Sequence, residues 1–241
     1  MPVPRWLLGL ASWLLVLGLV PAVALGSPLP FVPLQNDRAT LTILSGTATL
    51  VHADSGAREE IADNASLVEG DRVITSNPGS ALITFVDGSE QELDAGTEIQ
   101  IVAVGTTSGG GTLTILAQAV GVTIDRVADL TEDSTYQVET PLATAVVRGT
   151  VFRTRVLRDA ATEELLEVDF AAVQDPLEVQ TILAICTLQP GQVLRFWTPE
   201  GIRRGLADGS PEPGLGDSLT CPGRLIGAAA GTATGAAAVV V

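Results

Sequence analysis

Few residues of this chain could carry chemistry, and their spacing limits what that chemistry can be. His52 is the single histidine, so a serine- or cysteine-type nucleophile would have to route its proton through it. It lies beside Ala53-Asp54 at the end of an alternating run, with no G-x-S-x-G elsewhere, and reads as a surface strand or turn residue. Gly105-Thr106-Thr107-Ser108-Gly109-Gly110-Gly111-Thr112 has the glycine spacing of a phosphate loop, but Gly111 stands where the lysine should be. The two acidic groups, Glu59-Glu60-Asp63 and Glu163-Glu164-Glu167-Asp169, invite a Ca²⁺ site or a carboxylate pair for glycoside cleavage. Neither follows a D-x-D-x-D-G loop, and both read as solvated faces. Catalytic, metal and cofactor sites are therefore all expected to be none.

Two further residue types bear on the fold. Cys186 and Cys221 are the only cysteines, too few for a thiolate zinc site. In an exported chain they are expected to form a disulfide tying a turn-rich appendix to the last strands, worth about 3 to 4 kcal/mol; two separate buried thiols are the alternative. Arg148 stands between apolar Val147 and Gly149. Its guanidinium, with five donors, is expected to hold loop carbonyls or a carboxylate and so fix a corner, with a ligand or partner contact as the competing role.

The elements around these residues read as strands. Gln137 to Thr140 alternates, Pro141 ends it, Ala145-Val146-Val147 is apolar, and Val151 to Val156 alternates again after the Arg148-Gly149-Thr150 bend. Thr40 to Val51, Arg72 to Thr75, Ala81 to Val86, Glu98 to Val104 and Thr112 to Val127 are further strand segments. Asp87-Gly88 signals a two-residue hairpin, since Gly tolerates the positive φ of a primed turn. Glu163 to Val173 fits either period and is assigned to strand because the sheet-like pattern resumes at Val179. Leu188-Gln189-Pro190-Gly191-Gln192-Val193 echoes the stretch Leu67 to Val73, either as two similar strand-turn-strand corners or as a duplicated half-domain.

Two blocks of this sequence resemble the FecR family of extracytoplasmic domains. The segment VETPLATAVVRGTVF places Thr140, Pro141, Ala143, Ala145, Val147, Arg148, Gly149, Thr150 and Phe152 on the family's TP-x-A-x-A-x-V-R-G-T-x-F pattern. Upstream, Leu67 to Thr75 with Gly70-Asp71, then Ser80 to Ser89 with Asp87-Gly88, is similar to its L-x-x-G-D-x-I-x-T and A-x-L-x-F-x-D-G-S patterns. The resemblance implies a β fold outside the cytoplasm. In the best-known members a cytoplasmic segment before the membrane helix controls a sigma factor; only five residues precede the apolar run here, so that role is not carried over.

Arg5, the uncharged run Trp6 to Val20 and small residues Ala22, Ala24 and Gly26 describe a cleaved export signal or an uncleaved anchor over residues 1–26. Residues 27–37, with Pro28, Pro30 and Pro33, read as a stiff linker. A β domain is expected over 38–201, a turn-rich appendix over 202–224 and an apolar tail over 225–241. In that tail Gly227, Gly231 and Gly235 recur every fourth residue, as in a membrane helix or a frayed tail. The formal charge is −15, and all thirteen basic residues are Arg, which excludes Schiff-base chemistry. The acidic excess opposes nucleic-acid backbones and anionic lipid surfaces.

Together these observations predict an all-β protein of about ten to twelve mainly antiparallel strands in a sandwich or barrel-like body, exported and either membrane-anchored or secreted. Its expected function is non-enzymatic: a cell-envelope binding or sensor module presenting loops to a protein or glycan partner. A structural envelope protein assembling through strand edges or the glycine-spaced tail is the alternative.

Overall fold

The structure is a computed structural model that describes residues 38–182, 184–204 and 224–227, the last by backbone alone. The expected signal or anchor helix, the linker, Cys221, and most of the appendix and tail lie outside the described residues. Among those described, no helix is long and apolar enough to cross a membrane.

The chain forms β1 (Ala39–Ser45), β2 (Ala48–Val51), β3 (Arg58–Ile61), β4 (Asn64–Leu67), β5 (Arg72–Thr75), β6 (Ser80–Thr84), β7 (Glu90–Leu93), β8 (Glu98–Thr106) and β9 (Thr112–Arg126). There follow β10 (Thr135–Glu139), β11 (Thr144–Val147), β12 (Val151–Arg158), β13 (Leu165–Ala172), β14 (Leu177–Gln180), β15 (Ile185–Leu188) and β16 (Gln192–Trp197). A short helix α1 (Pro199–Arg203) and β17 (Arg224–Gly227) complete the described chain. The alternation in the sequence sets these elements: β10 and β11 bury every second residue, as a strand with one face on a core must.

The strands form two leaves. One leaf runs β3-β2-β5-β8-β9-β10-β11-β14-β15. The other runs β4-β1-β6-β7-β9-β12-β13-β16-β17. All these pairings are antiparallel except β9 with β10. One mainly aliphatic core cluster draws on both leaves, and Phe85, just after β6, meets Tyr136 of β10 edge-on at 5.8 Å.

Strand β9 belongs to both leaves. Its first half pairs with β8 and β10, its second with β7 and β12, and the transfer occurs at an irregularity where Glu98 faces Val120 and Ile99 faces Gln118. Gly121 bends the strand with φ +99. The Thr97 hydroxyl braces the bend, accepting from the Val122 amide at 3.0 Å and donating to the Val122 carbonyl at 3.1 Å.

Several expectations need correction. The sheet is open, with edges at β3, β15, β4 and β17, so the barrel-like alternative does not apply. Among the described residues seventeen strands replace the ten to twelve expected, because short corners divide runs that read as single strands. Strand β17 pairs with β16, so residues assigned to the appendix and tail add a strand to the sheet. Asp87-Gly88 is not a two-residue hairpin: the Phe85 amide donates to Ser89, and Val86, Asp87 and Gly88 form a three-residue loop with Gly88 at φ +83. The stretch from Glu163 to Val173 is mainly strand, as β13. The corners at Gly70 and Gly191 are alike, each with positive φ and each carrying the chain from one leaf to the other.

The bend in β9 has a direct test. A methyl group at Gly121 would stand 2.5 Å from the Thr97 Cα, whereas one at Gly88 would meet nothing within 4 Å. Gly121→Ala is expected to cost about 3 kcal/mol in urea unfolding and Gly88→Ala only about 1 kcal/mol. Equal costs would mean that the close approach at Thr97 does not constrain the strand.

Candidate functional site

The motif residues predicted from sequence lie at separate turns and corners of the fold, and most of the polar ones bind the backbone. Asp71 is buried and its carboxylate accepts from the Ala53 and Val68 amides at 3.0 and 2.9 Å, joining the turn after β2 to the turn before β5. Gly70 at φ +88 lies against Ala53. Asp87 accepts from the Ser89 amide at 2.8 Å and from the Thr112 hydroxyl at 3.1 Å. Thr150 is buried and its hydroxyl exchanges bonds with both the amide and the carbonyl of Asp175, at 3.1 and 3.0 Å. Gly149, at φ +126, allows close approach to Asp129.

Arg148 departs from expectation. It is exposed, and its side chain has no hydrogen bond or ion pair among the described residues. The corner is instead held by the Thr150 hydroxyl and by the Leu130 amide bonding the Arg148 carbonyl. Sequence position alone cannot tell which of the two polar side chains flanking Gly149 turns inward.

Thr140 and Pro141 shape the turn between β10 and β11. The Thr140 hydroxyl donates to the Ala143 carbonyl at 2.6 Å and accepts from the Ala143 amide at 3.2 Å. Thr181 makes the same clamp on Ala184 in the turn between β14 and β15, at 3.1 and 3.0 Å. Because β11 pairs with β14, the two clamped tips are neighbours. Two open cavities adjoin the Thr140 tip, one of about 300 Å³ and one of about 390 Å³ that also reaches the Thr181 tip, and Glu139, Thr140 and Pro141 line both. The first is also lined by Arg72, Glu98 and Arg158, the second by Gln137, Gln180 and Ile182.

Two charged arrangements escaped the sequence reading. Glu167 and Asp169 were expected to be solvated, but both are buried on the outer face of β13 beneath Arg153, Arg155 and Arg195. The Trp197 indole also donates to Glu167 at 2.8 Å. The matched spacing of Arg153 and Arg155 with Glu167 and Asp169 was a readable signal for a charged ladder across paired strands. The remaining members of the acidic groups, Glu59, Glu60, Asp63, Glu163 and Glu164, lie at the surface. His52 is paired with Glu59 at 3.1 Å.

The second arrangement is a buried polar network between the leaves. Asp125 is fully buried; its Oδ1 accepts from Gln91 at 2.9 Å and from the Tyr136 hydroxyl at 2.8 Å. The Thr123 hydroxyl lies 3.0 Å from Asp125 Oδ2 and 3.2 Å from Gln118 Oε1. The Gln118 nitrogen faces the Gly121 and Thr154 carbonyls, so its oxygen must face Thr123. One hydroxyl proton cannot serve two acceptors. A neutral Asp125 removes the conflict: its proton goes to Thr123, whose own goes to Gln118. Burial accordingly pushes the Asp125 carboxyl up to about 7, against the hydrogen bonds from Tyr136, Thr123 and Gln91 and the Arg126 charge that favour ionisation. Burial first, then Asp125, raises Tyr136 well above the usual phenol range.

Comparison with known proteins agrees with the resemblance drawn from sequence. Residues 71–169 match the family model described as FecR protein. Two crystal structures of a candidate anti-sigma factor from Parabacteroides distasonis, at 1.65 and 2.50 Å, superpose with a TM-score of 0.44 and 18% identity. The alignment covers 52% of this chain and 54% of that one, so the chain spans about half the length of that protein. No curated protein matches the chain.

The neutral carboxyl predicts a pH dependence. The unfolded Asp ionises near 3.9, whereas the folded group holds its proton to about 7. The folded state therefore binds more protons between these values, and stability is full below about pH 4 and falls as pH rises through about 7, by roughly 4 kcal/mol for this group. Asp125→Asn keeps a donor toward Thr123 and an acceptor for Gln91 and Tyr136. Its unfolding free energy should fall less than that of the parent chain between pH 5 and pH 8 and should match or exceed it at pH 8. Parallel curves for the two proteins would show that Asp125 is ionised in the core.

Proposed function

We propose that this chain, whose residues 71–169 match the FecR family model, is a non-enzymatic binding module of the cell envelope with a signalling role, holding a protein or glycan partner in the double cavity around Thr140 and Pro141. The observation that carries the reading is the pair of hairpin tips beside those cavities. Each is pinned by a threonine hydroxyl, on a leaf whose inner face is part of the core, so the loops are presented from a rigid scaffold. A binding role needs no reacting group; it needs a surface whose shape is held before the partner arrives.

Export rests on the N-terminal pattern of Arg5, the apolar run and the small residues before Ser27. A mature N-terminus near Leu25 or Ser27 would indicate a released domain, and an intact chain resisting carbonate extraction a membrane-held one. An intact chain in the soluble cytosolic fraction would overturn export.

The binding reading is tested by placing a photo-crosslinking p-benzoylphenylalanine at Thr144, which lines the larger cavity, and in a second protein at Thr40 on the other leaf. The expected result is a discrete adduct from position 144, identified by mass spectrometry, and none from position 40. Adducts only between copies of this chain would favour the assembly alternative, and equal labelling from both positions would overturn the site.

A further inference from the structure

The charges lining the double cavity are unequally satisfied. Arg72 and Glu98 pair with each other at 3.0 Å. Arg158 donates to the Ala119 and Glu163 carbonyls at 2.8 and 3.0 Å. Glu139, which lines both cavities, has no ion-pair partner among the described residues. It sits on β10 between Ala117 of β9 and Thr144 of β11, small neighbours that leave its carboxylate accessible from either side.

The surroundings narrow the partner further. Flat saccharide faces are held by aromatic rings, yet Phe85, Tyr136, Phe152, Phe170 and Phe196 are buried in the core and none lines either cavity. The groove offers instead side-chain amides at Gln100 and Gln137, which can bond a peptide backbone, and apolar tips at Pro141 and Ile182, the latter 90% exposed. An aliphatic stem ending in a cation matches that combination, since its methylenes can cover apolar surface while the charge reaches a carboxylate. The chain's charge of −15 would also steer a basic segment toward it.

We infer that the double cavity receives an extended peptide segment bearing a lysine or arginine, with the cation at Glu139 and its stem over Pro141 and Ile182. This rests on the reading of the cavities as a binding surface and specifies what they bind.

The test uses the purified full chain and three acetylated, amidated peptides, Thr-Val-X-Val-Thr with X as Arg, Gln or Glu. The Arg peptide should shift the backbone amide resonances of residues 137–140, 142–144 and 180–182 and bind about tenfold more tightly than the Glu peptide at low salt. Glu139→Gln should weaken the Arg peptide about fivefold, leave the Glu peptide no weaker, and leave the melting temperature unchanged because no described partner is lost. Ile182→Ala should weaken the Arg and Gln peptides alike. Equal affinity for the three peptides, no shift with any of them, or shifts produced instead by a β-1,4-linked N-acetylglucosamine tetramer would overturn the inference. A crosslink from position 144 in cells without an arginine preference would overturn the basic segment alone and leave the binding module standing; silence in both experiments would overturn both.

Discussion

A single fifteen-residue strand has to be central to two leaves at once, and the rest of the fold follows from that constraint. A straight strand presents one face to one core. To pass from the first leaf to the second and still face the shared interior, β9 must bend and exchange its faces. The irregularity opposite Glu98 and Ile99 and the positive φ at Gly121 do this together. Before the bend Thr114, Leu116 and Gln118 point inward; after it Thr123 and Asp125 do. Thr97 couples the bend to the turn after β7, so the transfer is held by hydrogen bonds as well as by shape.

The exchange of faces places polar groups where apolar ones would be cheaper. Val122 and Ile124 turn outward, and Thr123 and Asp125 enter the core. The fold accommodates the carboxyl by neutralising it and joining it to Gln91 of one leaf and Tyr136 of the other, which makes the network a bridge between leaves. On the outer face of β13 the opposite solution appears. Glu167 and Asp169 stay beneath three guanidiniums and an indole, where paired charges with further hydrogen bonds offset the desolvation that an isolated carboxylate would suffer.

The same economy of local devices governs the surface. Two leaf-changing corners use a glycine at positive φ, and two neighbouring hairpins use a threonine clamped to the residue three positions on. Because the second pair of tips falls side by side, repetition in sequence becomes a groove in space. Glu139 acquires its place in that groove from β9 and β11, strands that come from different parts of the chain.

Much of this was legible in the residues. Alternation located most strands, the T-P-L-A and V-R-G-T words marked a hairpin and a bend, and Gly70-Asp71 and Asp87-Gly88 marked turns, because these features depend on neighbours along the chain. Alternation did not say which face is inner: in Val122 to Arg126 the polar Thr123 and Asp125 face the core, because the inner face depends on a bend that only the partner strands reveal. The spacing of Arg153 and Arg155 against Glu167 and Asp169 hinted at a ladder but not at its burial, and the exposure of Arg148 and the adjacency of the Thr140 and Thr181 tips were out of reach, each depending on strands distant in sequence. By itself the sequence determined an all-β chain with its turns in place, because backbone preference and hydrophobic period are local. The tertiary structure alone decided which carboxylates are buried, neutral or paired and which are left to meet a partner, because burial and charge pairing are set by residues brought together across the sheet.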